Sequence, residues 1–283
     1  MSALLLSGKE VADHLLKTLK PMVKKLDPNL VVVQVGDDPA SASYIRQKMR
    51  SCEDVGMRHE HRHLPAETTK EELLTLVKEL NEDEGVTGFI VQLPLPSRLK
   101  DAVPEMIRSI DPAKDVDGFG PVNLGKMFLG QEFETLPPAT PAGVIEMLDY
   151  YKINVEGKHA VIVGHSNIVG KPLAVMLLNR NATVTVCHIH TKDLAAQTRQ
   201  ADILCTAVGK AGLITTDMVK PGAVVIDIGT SRTEEGLKGD VDFDAVKEIA
   251  SAITPVPGGV GPMTVASLIR NCVRAKELQL SVQ

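Results

Sequence analysis

The chain has 283 residues, which at roughly 100–200 residues per domain predicts two domains. Apolar residues make up 43% and charged residues 24%, a globular composition that excludes a disordered chain. The net charge is −5, and aromatic residues reach only 3% with no Trp. We therefore expect no nucleic-acid partner, and an anionic ligand must meet a local cationic patch.

The cysteines and apolar runs bear on the cellular compartment. The four cysteines lie far apart without a Cys-x-x-Cys pair, so we expect neither a metal site nor a disulfide framework. Cys187 and Cys205 each end an apolar run and are predicted to be buried. The N-terminus lacks a basic signal region, and no stretch approaches the ~20 apolar residues of a membrane span. These features predict a cytoplasmic protein with no membrane partner.

The first ninety residues alternate between helical and strand patterns. Ser7 and Glu10 form a predicted capping box that opens a helix to about Leu26. Gly56 is predicted to end a second helix. The periodicities predict further helices at about 40–54 and 69–81, and strands at 31–35, 59–64 and 86–92. Alternating strands and helices predict an α/β fold with a parallel sheet covered on both faces.

The second half repeats this rhythm after an irregular stretch. Residues 111–141 are rich in Pro, Gly and Asp without a sustained period, and we interpret them as an interdomain connection. A last helix at about 264–278 is expected to pack back on the first domain. Between them the pattern predicts helices at about 141–151 and up to Leu178, and strands at 160–164, 182–187, 201–207 and 223–228.

Residues 161–172 combine a strand, a tight turn and a helix start. Gly164 would permit the turn, Ser166 offers a hydroxyl to phosphate, and Gly170 would let helix and strand pack closely. The Gly-x-Ser-x-x-x-Gly spacing differs from Gly-x-Gly-x-x-Gly, so a turn that binds nothing is the alternative. The surrounding β–α–β pattern, whose second strand ends at Cys187, favours a dinucleotide site.

Tyr44 and Lys48 are an i,i+4 pair beside an apolar helical stripe. This places them at the border between core and solvent, where a cleft wall would lie. The alternative is a surface Tyr beside a Lys whose stem lies along apolar surface. A short-chain dehydrogenase, which also carries Tyr-x-x-x-Lys, is rejected because there the glycine motif precedes the pair.

Three further segments carry polar groups at loops. Gln92 ends a buried strand, where open α/β sheets bind ligands, although it can also cap the following loop. Asp117 can accept two N–H bonds from a guanidine-like heterocycle, whereas turn formation is the preferred role for Asp115. In residues 254–264, prolines fix the backbone and glycines permit close approach to a flat ligand, or the segment is a rigid strap.

Together these segments resemble the bifunctional methylenetetrahydrofolate dehydrogenase/methenyltetrahydrofolate cyclohydrolase family over nearly the whole chain. The resemblance implies NADP-linked oxidation of 5,10-methylenetetrahydrofolate and hydrolysis to 10-formyltetrahydrofolate, by cytosolic homodimers of one-carbon metabolism and purine biosynthesis. The motifs that carry it are Tyr44-x-x-x-Lys48, Val91-Gln-Leu-Pro-Leu-Pro96, Lys114-Asp-Val-Asp-Gly118, Thr140-Pro-x-Gly143, Gly164-x-Ser-x-x-Val-Gly170-x-Pro172 and Pro255-Val-Pro-Gly-Gly-Val-Gly-Pro-Met-Thr264.

The resemblance also implies roles for individual residues. Lys48 would be the central catalytic group, Tyr44 would position the folate, and Gln92 would hydrogen-bond the lysine. Asp117 would hold the pterin. The implied substrate contacts further include Val91, Leu93, Pro255, Pro257, Gly258 and Gly259, and the cofactor contacts are Gly164, His165, Ser166, Ile189 and Thr230. One amine can serve the hydrolysis if burial or a nearby positive charge lowers its pKa from about 10.4.

Two positions depart from the family's common pattern. Many members have Arg where this chain has His165, and Ser where it has Ile189. Both positions are implied to lie near the cofactor, so NADP is the expected cofactor and NAD the alternative.

We assign residues 1–139 and 264–283 to a folate-binding catalytic domain and residues 140–263 to a Rossmann-like NADP domain. Two other functions stay open from the residues: a shikimate-dehydrogenase-like NADP oxidoreductase and a non-catalytic folate- or dinucleotide-binding protein.

Overall fold

The computed structural model describes residues 2–234 and 236–281. Short 3₁₀ turns occur at Ser97–Ala102, Gln131–Phe133 and Thr216–Met218. The α-helices are α1 (Gly8–Leu26), α2 (Pro39–Val55), α3 (Lys70–Glu82), α4 (Val103–Ser109), α5 (Pro121–Met127), α6 (Ala139–Tyr150), α7 (Gly170–Leu178), α8 (Leu194–Thr198), α9 (Phe243–Val246) and α10 (Val260–Ser281).

The strands are mostly short, and several of them are rich in Val and Ile. They are β1 (Leu4–Leu5), β2 (Asn29–Val35), β3 (Arg58–Leu64), β4 (Gly88–Val91), β5 (His159–Val163), β6 (Thr183–Cys187), β7 (Ile203–Thr206), β8 (Val224–Asp227), β9 (Ser231–Thr233), β10 (Gly236–Lys238) and β11 (Ala252–Ile253).

The chain divides into two compact units, which confirms the predicted two-part α/β fold. The six-stranded unit comprises Met1–Asp13, Met127–Gln131 and Thr140–Thr264. The three-stranded unit comprises His14–Lys126, Glu132–Ala139 and Val265–Gln283.

The three-stranded unit is built on a parallel sheet in the order β3-β2-β4. The central strand β2 reads Asn-Leu-Val-Val-Val-Gln-Val, and six of its seven residues are buried, as a strand covered on both faces requires. Val31 and Val33 of β2 pack with Phe89 of β4 and with the buried face of α3, which includes Leu73 and Val77.

The six-stranded unit has a parallel sheet in the order β1-β11-β8-β7-β5-β6. Its core includes Val161, Val163, Leu204 and Val225 from three adjacent strands. Strands β9 and β10 pair antiparallel beside it. The strand order reverses between β5 and β7, because β5 leads to β6 on one side and β7 leads to β8 on the other. The loops after β5 and β7 therefore lie at a topological switch point of the kind where α/β sheets bind ligands.

Several helix boundaries follow from capping groups. Asp38 accepts the N–H of Ser41 over 2.7 Å at the start of α2, and Gly56 ends that helix in the left-handed region at φ +74°, as predicted. The capping box predicted for α1 is only half correct. Ser7 Oγ accepts the N–H of Glu10 over 3.3 Å, but the Ser7 N–H donates to the hydroxyl of Tyr151 over 2.9 Å instead of to Glu10.

Two predicted segments differ from the structure. The stretch 111–141 contains the helix α5 and a 3₁₀ turn, so it is not irregular throughout. Helix α10 begins at Val260, four residues before its predicted start at Thr264, inside the Pro/Gly segment. The four cysteines are buried and free, as predicted for Cys187 and Cys205. No helix in the described part of the chain combines the length and apolar character needed to cross a membrane.

Candidate active site

Lys48 and Gln92 meet in the three-stranded unit. Lys48 lies on α2, and its Nζ donates a hydrogen bond to Oε1 of Gln92 over 2.9 Å. Gln92 directly follows β4, where its N–H donates to the carbonyl of Val33 over 2.8 Å. Its own Nε2 donates to the carbonyl of Leu93 over 2.7 Å. The amide is therefore oriented with its oxygen toward the lysine.

Lys48 is almost completely buried, and this burial changes the pKa of its amine. The sequence predicted this side chain at the border of core and solvent, but it is only 7% exposed, because the stripe that buries Ile45 and Cys52 extends around α2 to include it. Burial lowers the pKa of Lys48 below its ordinary value, while the charge of Asp117 opposes that shift. A lysine of this kind is an amine that can gain and lose a proton closer to neutral pH than a surface lysine.

Tyr44 lies one turn before Lys48 and remains 41% exposed. Its ring is therefore available to a ligand, which fits the predicted cleft wall at this end of α2.

The two aspartates of the segment 111–120 have different surroundings. Asp115 is 2% exposed and accepts hydrogen bonds from the backbone N–H groups of Gly118 over 3.0 Å and Gly120 over 2.8 Å, as its predicted turn role requires. Asp117 is only partly buried. Burial nevertheless raises the pKa of Asp117 to about 6, with the charge of Lys48 opposing the rise and that of Asp115 adding to it. Within the described ranges, no hydrogen bond engages the Asp117 carboxylate.

The other predicted substrate contacts of this unit flank Gln92. The Val91 side chain is 5% exposed and belongs to the core of the sheet. Leu93 is half-buried against the same core, and the Leu93–Pro94 peptide bond is cis.

The predicted loop Pro255–Gly259 lies in the six-stranded unit, between β11 and α10. Its backbone is compact: a Cβ on Gly259 would fall on the carbonyl of Pro255, and Gly258 has φ +100°. The Gly258 carbonyl accepts the N–H of Lys9 over 3.1 Å. Pro257 is exposed, so the loop presents an apolar rigid edge.

The turn between β5 and α7 has the geometry of a nucleotide site. Gly164 has φ +122°, and a Cβ there would lie 2.5 Å from the carbonyl oxygen of Ala207. A Cβ on Gly170 would fall on the Gly164 carbonyl, so both predicted glycine roles are present. Ser166 Oγ accepts the N–H of Val169 over 3.1 Å, and His165 and Ser166 are exposed.

Histidines gather beside this turn. The ring centroids of His165 and His188 lie 5.0 Å apart, and those of His188 and His190 lie 6.0 Å apart. Ile189 is 90% exposed after the end of β6. Thr230 is exposed after β8, and its carbonyl lies 3.8 Å from a Cβ built on Gly209. Among the described residues, no group of His, Cys, Asp and Glu is placed to hold a metal ion.

Two buried aspartates that the sequence analysis did not single out organise the loops of this unit. Asp227 ends β8 and accepts the N–H groups of Asp240 over 3.0 Å and Val241 over 2.9 Å. Asp240 in turn accepts the N–H groups of Val208 and Lys210, each over 2.7 Å. The position of Asp227 at the end of a buried strand was a sequence feature that could have indicated its role. Nothing in the local sequence marked Asp240.

Comparison with known proteins places the chain among folate enzymes. The sequence model described as "Tetrahydrofolate dehydrogenase/cyclohydrolase, catalytic domain" matches residues 6–117, and that described as its NAD(P)-binding domain matches residues 138–280. A "Bifunctional protein FolD" of Geobacillus thermodenitrificans is 52% identical over 97% of this chain and 98% of its own.

Solved structures of related proteins support the same assignment. The bifunctional FolD methylenetetrahydrofolate dehydrogenase/cyclohydrolase of Campylobacter jejuni superposes with a TM-score of 0.94 at 47% identity, over 98% of this chain and 100% of its own. The corresponding Trypanosoma brucei enzyme, solved with NADP and an inhibitor, gives a TM-score of 0.93 at 35% identity over 99% of each chain. These likenesses favour the folate enzyme over the shikimate-dehydrogenase-like alternative. The chain belongs to the tetrahydrofolate dehydrogenase/cyclohydrolase family.

Proposed function

We propose that this protein is a bifunctional one-carbon enzyme. It oxidises 5,10-methylenetetrahydrofolate to 5,10-methenyltetrahydrofolate with NADP, and then hydrolyses that product to 10-formyltetrahydrofolate. The family membership supports both activities. The single structural observation that carries the proposal is the buried Lys48 held by Gln92 in a site that also carries the Asp117 carboxylate.

The two units take different parts of this reaction. We assign folate binding to the three-stranded unit, which contains Tyr44, Lys48, Gln92 and Asp117, and nucleotide binding to the six-stranded unit. The Pro255–Gly259 loop belongs to the six-stranded unit, where Pro257 presents an exposed apolar ring.

The six-stranded unit has residues suited to NADP. The glycines at positions 164 and 170 let the turn pack closely against the backbone of Ala207 and the start of α7, so the N-terminus of α7 lies at the turn, where a phosphate can bind. Ser166 and Thr230 supply exposed hydroxyl groups, while His165 lies at the turn itself. Bound NADP would accept the hydride that the methylene group loses.

For the oxidation step, the protein mainly has to orient the folate relative to the nicotinamide. Loss of hydride converts the methylene carbon into a resonance-stabilised cation, so no protein base is required for that step. Asp117, charged above a pKa of about 6, accepts N–H bonds from the pterin, and the exposed ring of Tyr44 is available to the folate. These contacts hold the folate in place. Holding reacting groups in the right geometry itself supplies a large part of the rate enhancement.

The hydrolysis needs proton transfer, and Lys48 is placed to provide it. Water adds to the methenyl carbon with loss of a proton, and the ring opens when a C–N bond breaks and the nitrogen gains a proton. The neutral amine of Lys48 takes one proton from the attacking water and returns it to the nitrogen as the C–N bond breaks. The remaining hydroxyl proton is released to solvent as the formyl C=O forms, so the positive charge of the methenyl cation leaves as this one proton. Burial lowers the pKa of Lys48 toward the range in which one group can do both. Gln92 holds the Nζ in place throughout.

We place the protein in the cytoplasm as a homodimer. The buried free cysteines are compatible with a reducing compartment, and the family resemblance supports the dimer. Light scattering on the eluted peak of a sizing column, at twice the mass of the 30.5 kDa chain, would establish the dimer.

The activity itself is tested by following ultraviolet absorbance of methenyltetrahydrofolate as it forms from methylenetetrahydrofolate and NADP. A second assay starts from isolated methenyltetrahydrofolate and follows its loss. The proposal requires enzyme-dependent rates in both assays. Tight folate and NADP binding without turnover would instead indicate the non-catalytic binding protein.

A further inference from the structure

The buried segment on both sides of Asp117 is fixed by two side chains that the proposed reaction does not use. One is Asp115, two residues before it. The other is Asn271 on α10, which is fully buried and distant in sequence.

Asp115 closes the turn that follows Asp117. Its Oδ1 accepts the N–H groups of Gly118 over 3.0 Å and Phe119 over 3.3 Å. Its Oδ2 accepts the N–H of Gly120 over 2.8 Å and Nδ2 of Asn123 over 3.0 Å. Four donors from the chain after Asp117 thus converge on one carboxylate.

Asn271 fixes the chain before Asp117. Its Nδ2 donates to the carbonyl of Val116 over 2.9 Å and to the carbonyl of Pro137 over 2.8 Å. One amide group therefore joins α10 to both backbone segments at this turn. Gly118 packs against the same second segment, since a Cβ there would lie 2.6 Å from the Leu136 carbonyl oxygen.

The start of this turn, at Lys114, is hydrogen-bonded to the three-stranded sheet. The N–H of Phe89 in β4 donates to the carbonyl of Lys114 over 3.1 Å. Asp115, Val116 and Gly118 are buried, whereas Asp117 between them is only partly buried.

We infer that Asp115 and Asn271 are positioning residues for Asp117: together they hold the backbone before and after it so that its carboxylate stays free for the pterin. This inference rests on the proposed function, because it takes folate as the ligand of Asp117. It goes beyond that function in assigning substrate affinity to a residue on the C-terminal helix.

Asp115 has a second effect through its charge. The titratable groups that act on Asp117 are Lys48 from α2, which lowers its pKa, and Asp115 from its own turn, which raises it. Removing the Asp115 charge should move the pKa of Asp117 downward.

The test uses the full-length protein with folic acid, which carries the pterin but no reactive one-carbon group. Asn271→Leu removes both hydrogen bonds while keeping the number and branching of the side-chain heavy atoms. Each such hydrogen bond contributes about a factor of two to ten in an equilibrium constant. We therefore expect the Kd for folic acid and the KM for methylenetetrahydrofolate to rise about tenfold. The kcat at saturation and the Kd for NADP should stay within about twofold of wild type.

Ser267→Ala is the matched control. Ser267 is also fully buried on α10, and its hydroxyl has no hydrogen-bond partner within the described residues. This variant should leave both folate constants unchanged. If Asn271→Leu does not fold, Asn271→Ser replaces it, because serine keeps one hydrogen-bond donor. The Kd of Asn271→Ser for folic acid is then compared with the Kd of Ser267→Ala. A Kd about threefold higher in Asn271→Ser supports the inference.

Asp115→Asn supplies the independent readout. Folic acid binding should weaken as pH falls through the pKa of Asp117, and in this variant the midpoint should move to lower pH. Unchanged folate constants in the Asn271 variants, or an unmoved midpoint in Asp115→Asn, would overturn the inference. Failure of the proposed function is a different result: wild-type protein that neither binds folic acid nor turns over the folate substrate.

Discussion

The Nζ of Lys48 donates to Oε1 of Gln92 over 2.9 Å, while Nε2 of the same amide donates to the carbonyl of Leu93 over 2.7 Å. The second bond fixes which end of the amide faces the lysine. A neutral acceptor in this position can bind both the ammonium and the amine without strongly favouring the charged form, unlike a carboxylate. This is the property that an acid–base lysine needs.

Gln92→Glu tests that property. A carboxylate beside Nζ would favour the ammonium and raise the pKa of Lys48, so the neutral amine becomes scarcer and hydrolysis at pH 7 should slow by about tenfold or more. The pH–rate profile of the cyclohydrolase should move to higher pH. Gln47→Glu is the control because it adds the same charge on the exposed face of α2. An unmoved profile in Gln92→Glu would contradict the role given to the amide.

Asp117→Asn should weaken folate binding far more than NADP binding. The substitution keeps the size but turns one acceptor into a donor, which then opposes a pterin N–H. We expect the folate KM to rise about tenfold or more, with the NADP KM nearly unchanged. Asp101→Asn, an exposed aspartate in the same unit, serves as the control. An unchanged folate KM beside an altered NADP KM would reverse the placement of Asp117.

Gly170→Ala should damage the nucleotide site. The added methyl group would fall on the Gly164 carbonyl, so α7 must move away from the turn. Overpacking of this kind costs about 1–3 kcal/mol of stability, and we expect calorimetry to show weakened NADP binding. In Gly125→Ala the added Cβ meets no atom within 4 Å, so NADP binding should be retained. Equal NADP affinity in both variants would remove the assigned role of this turn.

The histidines beside the turn predict a preference for NADP over NAD. His165, His188 and His190 lie near one another, and the strand β6 ends without a carboxylate that would select the NAD ribose. The ring N–H groups of these histidines can donate hydrogen bonds to the 2′-phosphate of NADP. The kcat/KM for NADP should therefore exceed that for NAD, and His165→Ala should reduce this difference. Equal or better use of NAD by the wild-type protein would show a switched cofactor.

Much of the fold was predictable because its signals are local. Strand β2 contains three consecutive valines, and Gly56 and Gly170 occupy positions that only glycine tolerates well. Strands β1 and β11 have two residues each and exist only because β8 provides a neighbour for β11, which in turn pairs with β1. Helix α5 has seven residues, too few for a period to stand out.

The candidate site was predicted in its residue types but not in its environment. The spacing of Tyr44 and Lys48 indicated one helix face, yet the hydrogen-bond partner of Lys48 is Gln92, which lies 44 residues away along the chain. Asn271 was not singled out, because its two partners, at positions 116 and 137, are more than a hundred residues away. Long-range contacts of this kind leave no periodic mark in a sequence.

The most direct test of the central claim, that the Lys48 amine carries the hydrolysis, is cyclohydrolase turnover of Lys48→Met measured on isolated methenyltetrahydrofolate. Methionine fills a similar volume without a titratable group, so circular dichroism and NADP affinity should match wild type. We expect the hydrolysis rate to fall by ~10²–10⁴-fold. Turnover within about threefold of wild type in a folded variant, well short of the loss expected for a general acid–base group, would contradict the account.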